Sequence, residues 1–183
     1  MRIIAGELKG RRLQTPGWPG LRPTSDKLRE TLFNVVSARV PGARVLDLYA
    51  GTGAVGLEAL SRGASHVTFV DADRRAIALI EQNLRRCGVA DRYAIIRFRL
   101  VPEAPALPAG SFDLIVLDPP YDEPDLAAAV AATMPLTAPD GLVVLEHARR
   151  RPSPELVGRL RRTREVVSGD SALAFYAQDR LTP

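Results

Sequence analysis

Apolar residues along this 183-residue chain fall into short unbroken runs that alternate with stretches spaced like one face of a helix. From residue 43 onward, the runs at 45–48, 67–70, 94–98, 112–117 and 142–145 read as strands. The stretches at 55–61, 75–86, 126–133 and 154–160 read as helices. Strands that are apolar at nearly every position are buried on both faces, as in a mostly parallel sheet covered by helices, so the predicted class is α/β. The end of the chain departs from this alternation. Val166-Val167 and the run 172–177 flank Ser168-Gly169-Asp170-Ser171 with no helix between them, which predicts a hairpin that adds an antiparallel strand.

The beginning also departs from it. Ile3-Ile4 and Leu13 surround Gly6 and Gly10, and a Pro/Gly loop (Thr15-Pro16-Gly17-Trp18-Pro19-Gly20) follows, so residues 1–24 read as a β-hairpin and linker and residues 25–183 as the main domain. Thr24 or Ser25 caps a helix in which Leu28, Leu32, Val35 and Val36 recur at helical spacing until Pro41-Gly42 stops it. This segment carries most of the charge asymmetry. Residues 1–44 hold nine Lys/Arg against three acids, a net +6 within a total of +4, so the remaining body is −2. A basic head on a near-neutral body is the electrostatic footprint of a phosphate-gripping protein, and Arg2, Arg11, Arg12 and Arg22 are the candidate contacts. A second arginine cluster, Arg149 to Arg151 with Arg159, Arg161, Arg162 and Arg164, falls on the predicted 154–160 helix and its flanks, where solvation explains it better. The single cysteine, Cys87, excludes an internal disulfide framework and fits a reducing, cytoplasmic setting. No apolar run approaches the roughly 20 residues of a membrane span.

Two motifs carry the chemistry. In the first, the strand ending in Asp47 leads into Tyr49-Ala50-Gly51-Thr52-Gly53 and then Gly56, a G-x-G-x-x-G turn. Asp71 follows 20 residues after Gly51, at the end of the next strand, with Ala72 beside it. Glycines let backbone approach a ligand, and a carboxylate at that strand end accepts both ribose hydroxyls of an adenosine-bearing cofactor. Asp73 is the lesser candidate for that role. Alone, the glycine pattern fits a nicotinamide dehydrogenase equally well. Asp47, however, places an anion before the turn, which a diphosphate-binding loop does not want and which the ammonium of S-adenosylmethionine does. The second motif is Asp118-Pro119-Pro120-Tyr121 at the end of the fourth strand. An exocyclic amine on a purine is a poor nucleophile because its lone pair is delocalised into the ring. A carboxylate at Asp118 and a rigidly aimed Pro119 carbonyl draw that lone pair out by accepting the amine hydrogens, Pro120 fixes the turn, and Tyr121 stacks on the base. The residues alone read as amine methylation of a nucleic acid.

The chain resembles the bacterial small-subunit (16S) ribosomal RNA guanine-N2-methyltransferases. The resemblance runs through Arg2-Ile3-Ile4-Ala5-Gly6, Gly10-Arg11-Arg12-Leu13, Arg22-Pro23-Thr24, Arg29-Glu30-Thr31-Leu32-Phe33-Asn34, the loop from Asp47 to Gly56, Gly63-Ala64, Asp118-Pro119-Pro120-Tyr121 and Gly169-Asp170. It implies a Rossmann-like class I methyltransferase, a seven-stranded mostly parallel sheet with an antiparallel last strand and a small N-terminal hairpin. It also implies methylation of N2 of a guanine in 16S ribosomal RNA, within a small-subunit particle, by a monomer that needs S-adenosylmethionine and no metal. By position, Asp47 and the turn Gly51-Thr52-Gly53 meet the methionine part, Asp71 the ribose and Asp118 to Tyr121 the guanine, with Tyr49, Ala50 and Ala72 as further cofactor-binding residues. Where the family often has an Asp or Asn for the adenine amino group, this chain has Arg97-Phe98-Arg99-Leu100. A backbone carbonyl with Phe98 or Leu100 is the expected replacement. Alternatives stay open at this point: an adenine-N6 or protein glutamine methyltransferase with the same motif, or an RNA-binding protein with a degenerate cofactor pocket. His66, His147 and Cys87 read as structural, and Trp18 as either an RNA-stacking or a core-covering ring.

Overall fold

The computed structural model describes residues 1–18, 26–101 and 103–179. Arg22, Thr24 and Ser25 therefore lie outside the described residues. After the N-terminal segment come α1 (Asp26–Val35), β1 (Arg44–Leu48), α2 (Ala54–Ser61), β2 (His66–Asp71), α3 (Arg74–Arg86), β3 (Tyr93–Arg97), β4 (Phe112–Leu117), α4 (Leu126–Ala131), β5 (Thr137–Ala148), β6 (Leu156–Val157), β7 (Leu160–Ser168) and β8 (Ser171–Gln178). The eight strands form one sheet in the order β3-β2-β1-β4-β5-β8-β7-β6. Strands β1 to β5 pair in parallel, and β8 pairs antiparallel with β5. The apolar runs of β1, β2 and β4 are buried almost throughout, because helices cover both faces. On one face α1, α2, α3 and the N-terminal segment pack on Val45, Phe69, Val116, Val144 and Phe175; on the other, α4 and the loop around Leu100 pack on Leu46, Leu48, Leu117 and Leu145.

Two differences from the sequence reading concern the C-terminal third. The stretch 154–160 is not a helix. Leu156 and Val157 pair with Arg161 and Leu160 across a two-residue Gly158-Arg159 turn, with Gly158 at φ +55°. Prolines at 152 and 154 are compatible with a helix start, but Gly158 in the left-handed region breaks the helical path and suits a tight two-residue hairpin. The eighth strand is this two-residue β6, added at the sheet edge beyond the seven expected. The arginine cluster consequently lies on β7, in the turn before it and in the loop after β5. There Arg161 pairs with Asp179 at 2.7 Å and Arg162 with Glu165 at 3.1 Å, so local acids account for part of it.

The N-terminal segment closes as a short hairpin, through one antiparallel bridge between Arg2 and Arg12 and through Ile3 N–H to the Arg11 carbonyl at 3.0 Å. It does not stand off the body: Ile3, Leu8 and Leu13 are buried in the core. Its anchor is Glu58 on α2, a fully buried carboxylate that accepts from Ile4 N–H at 2.8 Å, Ala5 N–H at 3.0 Å and Arg62 Nε at 2.8 Å. Arg29 of α1, also fully buried, brings its Nε to 3.6 Å from the same carboxylate and donates to the Arg2 carbonyl. Gly6 meets α2 so closely that a Cβ would lie 1.8 Å from the Ser61 carbonyl oxygen.

Candidate active site

The C-terminal ends of parallel strands expose a crevice in sheets of this kind, because the chain leaves neighbouring strands toward opposite faces. Here that edge opens into a cavity of about 990 Å³, lined by the loop after β1, the ends of β2 and β4, residues 98–101, Leu28 of α1, Glu146 of β5 and Ser171 of β8. Every described residue assigned above to cofactor or base lines it except Gly53: Asp47, Tyr49, Ala50, Gly51, Thr52, Asp71, Ala72, Asp118, Pro119, Pro120 and Tyr121.

The glycine loop is held from both sides. Asp71 Oδ2 accepts from Gly51 N–H at 2.9 Å and its Oδ1 from Asp73 N–H at 2.9 Å, and each carboxylate oxygen has capacity to accept one more bond. Asp73 is engaged elsewhere: it caps α3 by accepting from Arg75 N–H at 2.8 Å, and its ion pair with Arg75 holds its carboxyl below the ordinary range. Gly51 and Gly53 adopt φ of +54° and +75°. Gly53 faces Ile80 and Phe69 instead of the opening, and at Gly56 a Cβ would lie 2.2 Å from the Phe69 ring, so this glycine sets the contact of α2 with β2. Tyr49, at φ +60° without being glycine, is a strained position of the kind found at ligand sites. Its hydroxyl donates to Glu123 at 3.3 Å, and burial followed by Glu123 raises its pKa.

Asp118 extends the β1–β4 ladder by one bond, its N–H donating to the Leu48 carbonyl at 3.3 Å. This fixes it beside the start of the glycine loop. The Tyr121 hydroxyl lies 2.7 Å from Ser171 Oγ, tethering the ring to the start of β8. Strand pairing matches Asp47 to both Phe69 and Val116, and Val116 to Val144. Alternation then places Asp71, Asp47, Asp118 and Glu146 on the same face of four adjacent strands.

This row of carboxylates has an electrostatic consequence. The Asp47 carboxyl sits well above its ordinary range, chiefly through burial, opposed by the Gly56 N–H that donates to Oδ2 at 2.9 Å and reinforced by Asp118 and Asp71. A cationic ligand relieves that repulsion; a diphosphate would add to it. A raised acid binds its proton more tightly when folded, so its contribution is fully present below the unfolded carboxyl's pKa of about 4 and is lost as pH rises through the folded value. Asp47→Asn keeps an acceptor for Gly56 without the buried charge. The ligand-free variant should melt above the parent at pH 7, by about 2–4 °C for each kcal/mol relieved, with the gap closing toward pH 4 in thermal melts.

Several site residues gave no sequence signal. Asn83 of α3, fully buried, donates to the Thr52 carbonyl at 2.9 Å and the Gln14 carbonyl at 3.1 Å, joining the glycine loop to the exit of the hairpin. Leu28 and Glu146 reach the cavity from a helix and a strand read only as core. The departure at residues 97–100 resolves as Phe98, Arg99 and Leu100 on the cavity wall, where Arg97 is absent, and Phe98 N–H donates to the Asp71 backbone carbonyl at 3.0 Å. Of the basic candidates, Arg2, Arg11 and Arg12 are exposed on the hairpin, and Arg11 also donates to the Cys87 carbonyl. Met1 Sδ lies 3.6 Å from Thr52 Oγ1, so the hairpin borders the cavity mouth. Trp18 is partly buried, with the Arg75 guanidinium 5.1 Å from its ring centre. His147 is buried, its Nδ1 2.8 Å from the Arg151 carbonyl, and Cys87 is core. Among the described residues no group of three or more His, Cys, Asp and Glu is arranged to hold a metal, and no helix is long and apolar enough to cross a membrane.

Residues 1–177 match the family described as Conserved hypothetical protein 95. The chain is 38% identical over 180 residues to YlbH of Bacillus subtilis (strain 168), covering 96% of this chain and 98% of that one. It is 31% identical over 185 residues to Ribosomal RNA small subunit methyltransferase D of Escherichia coli (strain K12), covering 98% and 90% respectively. The solved structure of yhhF from Escherichia coli superposes with a TM-score of 0.81 at 31% identity, over 98% of each chain.

Proposed function

This chain belongs to the Conserved hypothetical protein 95 family and is similar over nearly its whole length to a ribosomal RNA small subunit methyltransferase, and we propose that it moves a methyl group from S-adenosylmethionine to the exocyclic N2 amine of a guanine in 16S ribosomal RNA. The observation that carries the reading is the row Asp71, Asp47, Asp118 and Glu146 around one cavity. It suits a ligand carrying ammonium and sulfonium charge and a base that offers hydrogen donors, and it disfavours the diphosphate of a dinucleotide.

When bound, the donor supplies a methyl group on a cationic sulfur, an electrophile that needs no further activation. The residues supply alignment. Asp71, with Ala72 beside it, would accept the ribose hydroxyls, Phe98 and Leu100 would flank the adenine, and Asp47 with the turn 50–53 would hold the methionine end. Asp118 and the Pro119 carbonyl accept the two amine hydrogens of the guanine, turning the nitrogen lone pair toward the methyl. The proline pair keeps that carbonyl from rotating, and Tyr121 stacks on the base for about 1–3 kcal/mol. The methyl's bond to sulfur would break as the N–C bond forms, releasing a neutral thioether, and Asp118 would take the surplus amine proton. The basic segment 1–24 supplies the RNA grip and the segment 25–183 the transferase chemistry, and the protein works as a monomer in the cytoplasm on an assembling small-subunit particle.

The test is transfer of labelled methyl to small-subunit RNA followed by nucleoside digestion. N2-methylguanosine is the expected product; N6-methyladenosine, or label in ribosomal protein, would contradict the reading. Replacing Arg2, Arg11 and Arg12 together by glutamine should reduce the slope of log affinity for RNA against log salt by about 2–3, at roughly 0.7–0.9 per phosphate contact. An unchanged slope in a binding titration would remove those arginines from the interface.

A further inference from the structure

We infer that Glu146 reads the target base, accepting N1–H of guanine beside the amine that Asp118 and Pro119 hold. This deepens the guanine-N2 reading above and rests on it. Glu146 is only 6% exposed, yet it follows Val143, Val144 and Leu145 on a core strand and lines the cavity shared by Asp118 and Tyr121. Its position is defined by pairing. Leu117 of β4 is opposite Leu145 of β5, so Asp118 and Glu146 are the next residues on neighbouring parallel strands, about 4.8 Å apart. On its other side Glu146 is opposite Leu173, two residues from Ser171, whose Oγ holds the Tyr121 hydroxyl at 2.7 Å. The amine acceptor, the stacking ring and this second carboxylate thus surround one spot.

Guanine presents N1–H and the N2 amine side by side, both donors, whereas adenine presents a lone pair at N1. An ionised carboxylate only accepts hydrogen bonds, so Glu146 beside Asp118 matches the first edge and repels the second. A site built to bond one donor rejects an analogue lacking it, because the buried acceptor is left unpaired.

The test uses a short RNA carrying the methylated position as guanine or as 2-aminopurine, which keeps the N2 amine but has a lone pair at N1. The unsubstituted protein should favour guanine by on the order of 100-fold or more in kcat/KM. In Glu146→Gln the carboxamide donates to N1 of 2-aminopurine, so that preference should collapse or invert. Glu146→Asp, which keeps an acceptor, should retain the guanine preference at a lower rate. Donor affinity and melting temperature, measured on each variant, report whether the fold and donor site are intact. A Glu146→Gln protein inactive on both bases beside a guanine-preferring Glu146→Asp still supports the role. The inference is overturned by a guanine preference in Glu146→Gln equal to that of the unsubstituted protein. It is overturned too if neither variant, folded and donor-competent, differs from the unsubstituted protein in kcat/KM. Absence of N2-methylguanine from the unsubstituted protein's product is a distinct result, which overturns the functional reading together with this one.

Discussion

Asp118→Ala should lower methyl transfer by roughly 10²–10⁴-fold while S-adenosylmethionine binds nearly as well as before. The two quantities separate because the proposed role of Asp118 is toward the base and not the donor. The glycine loop keeps its bonds to Asp71 and Asp47, none of which involves Asp118. Alanine removes an acceptor for the amine and the proton's destination, so the nitrogen lone pair stays conjugated with the ring. It also removes one of the charges that hold the Asp47 carboxyl high, which leaves donor affinity with little reason to fall. Single-turnover transfer to small-subunit RNA gives the first quantity and calorimetry the second. Turnover at the parent rate would refute the role of Asp118; loss of donor binding in step with transfer would place it in the donor site instead.

The second large effect is on stability. Glu58→Ala should destabilise the protein by about 3–5 kcal/mol, because it takes the buried carboxylate from the fully buried Arg29 and the acceptor from two backbone amides. For a chain of this length that corresponds to a fall of roughly 6–20 °C in melting temperature. Arg29 would keep Asp26 at 3.0 Å and the Arg2 carbonyl but lose its buried carboxylate, and the amide hydrogens of Ile4 and Ala5 would lose their acceptor. The loss therefore concentrates on the hairpin. Hydrogen exchange should show residues 1–13 opening well below the temperature at which the sheet melts, and RNA affinity should fall with them. A melting temperature within 2 °C of the parent, well under the roughly 2–4 °C expected per kcal/mol, would show that the carboxylate is not the anchor.

Legibility from sequence followed the range of the interactions. Doubly covered parallel strands announce themselves as unbroken apolar runs, so β1, β2 and β4 were readable to within a residue or so, as was the spacing from Gly51 to Asp71. Short apolar clusters are ambiguous in period, and 154–160 fell on the wrong side: Leu156, Val157 and Leu160 fit a helical stripe as well as a tight hairpin. The residues that tie the site together were not readable at all. Glu58 bonds to amides 53 and 54 positions away, Asn83 to a carbonyl 31 positions away, and Glu146 joins the cavity through strand pairing. Nothing local distinguishes these side chains from surface polar residues, since their meaning arises only when the sheet assembles.

The most direct test of the central claim is a crystal structure of the protein with S-adenosylmethionine bound. The account predicts density within the cavity at the ends of β1, β2 and β4, ribose hydroxyls on Asp71, and a methyl group aimed at the space between Asp118 and Tyr121. A base amine placed there should be about 3–3.5 Å from the methyl carbon. A donor seated elsewhere, or a methyl turned away from Asp118, would contradict it.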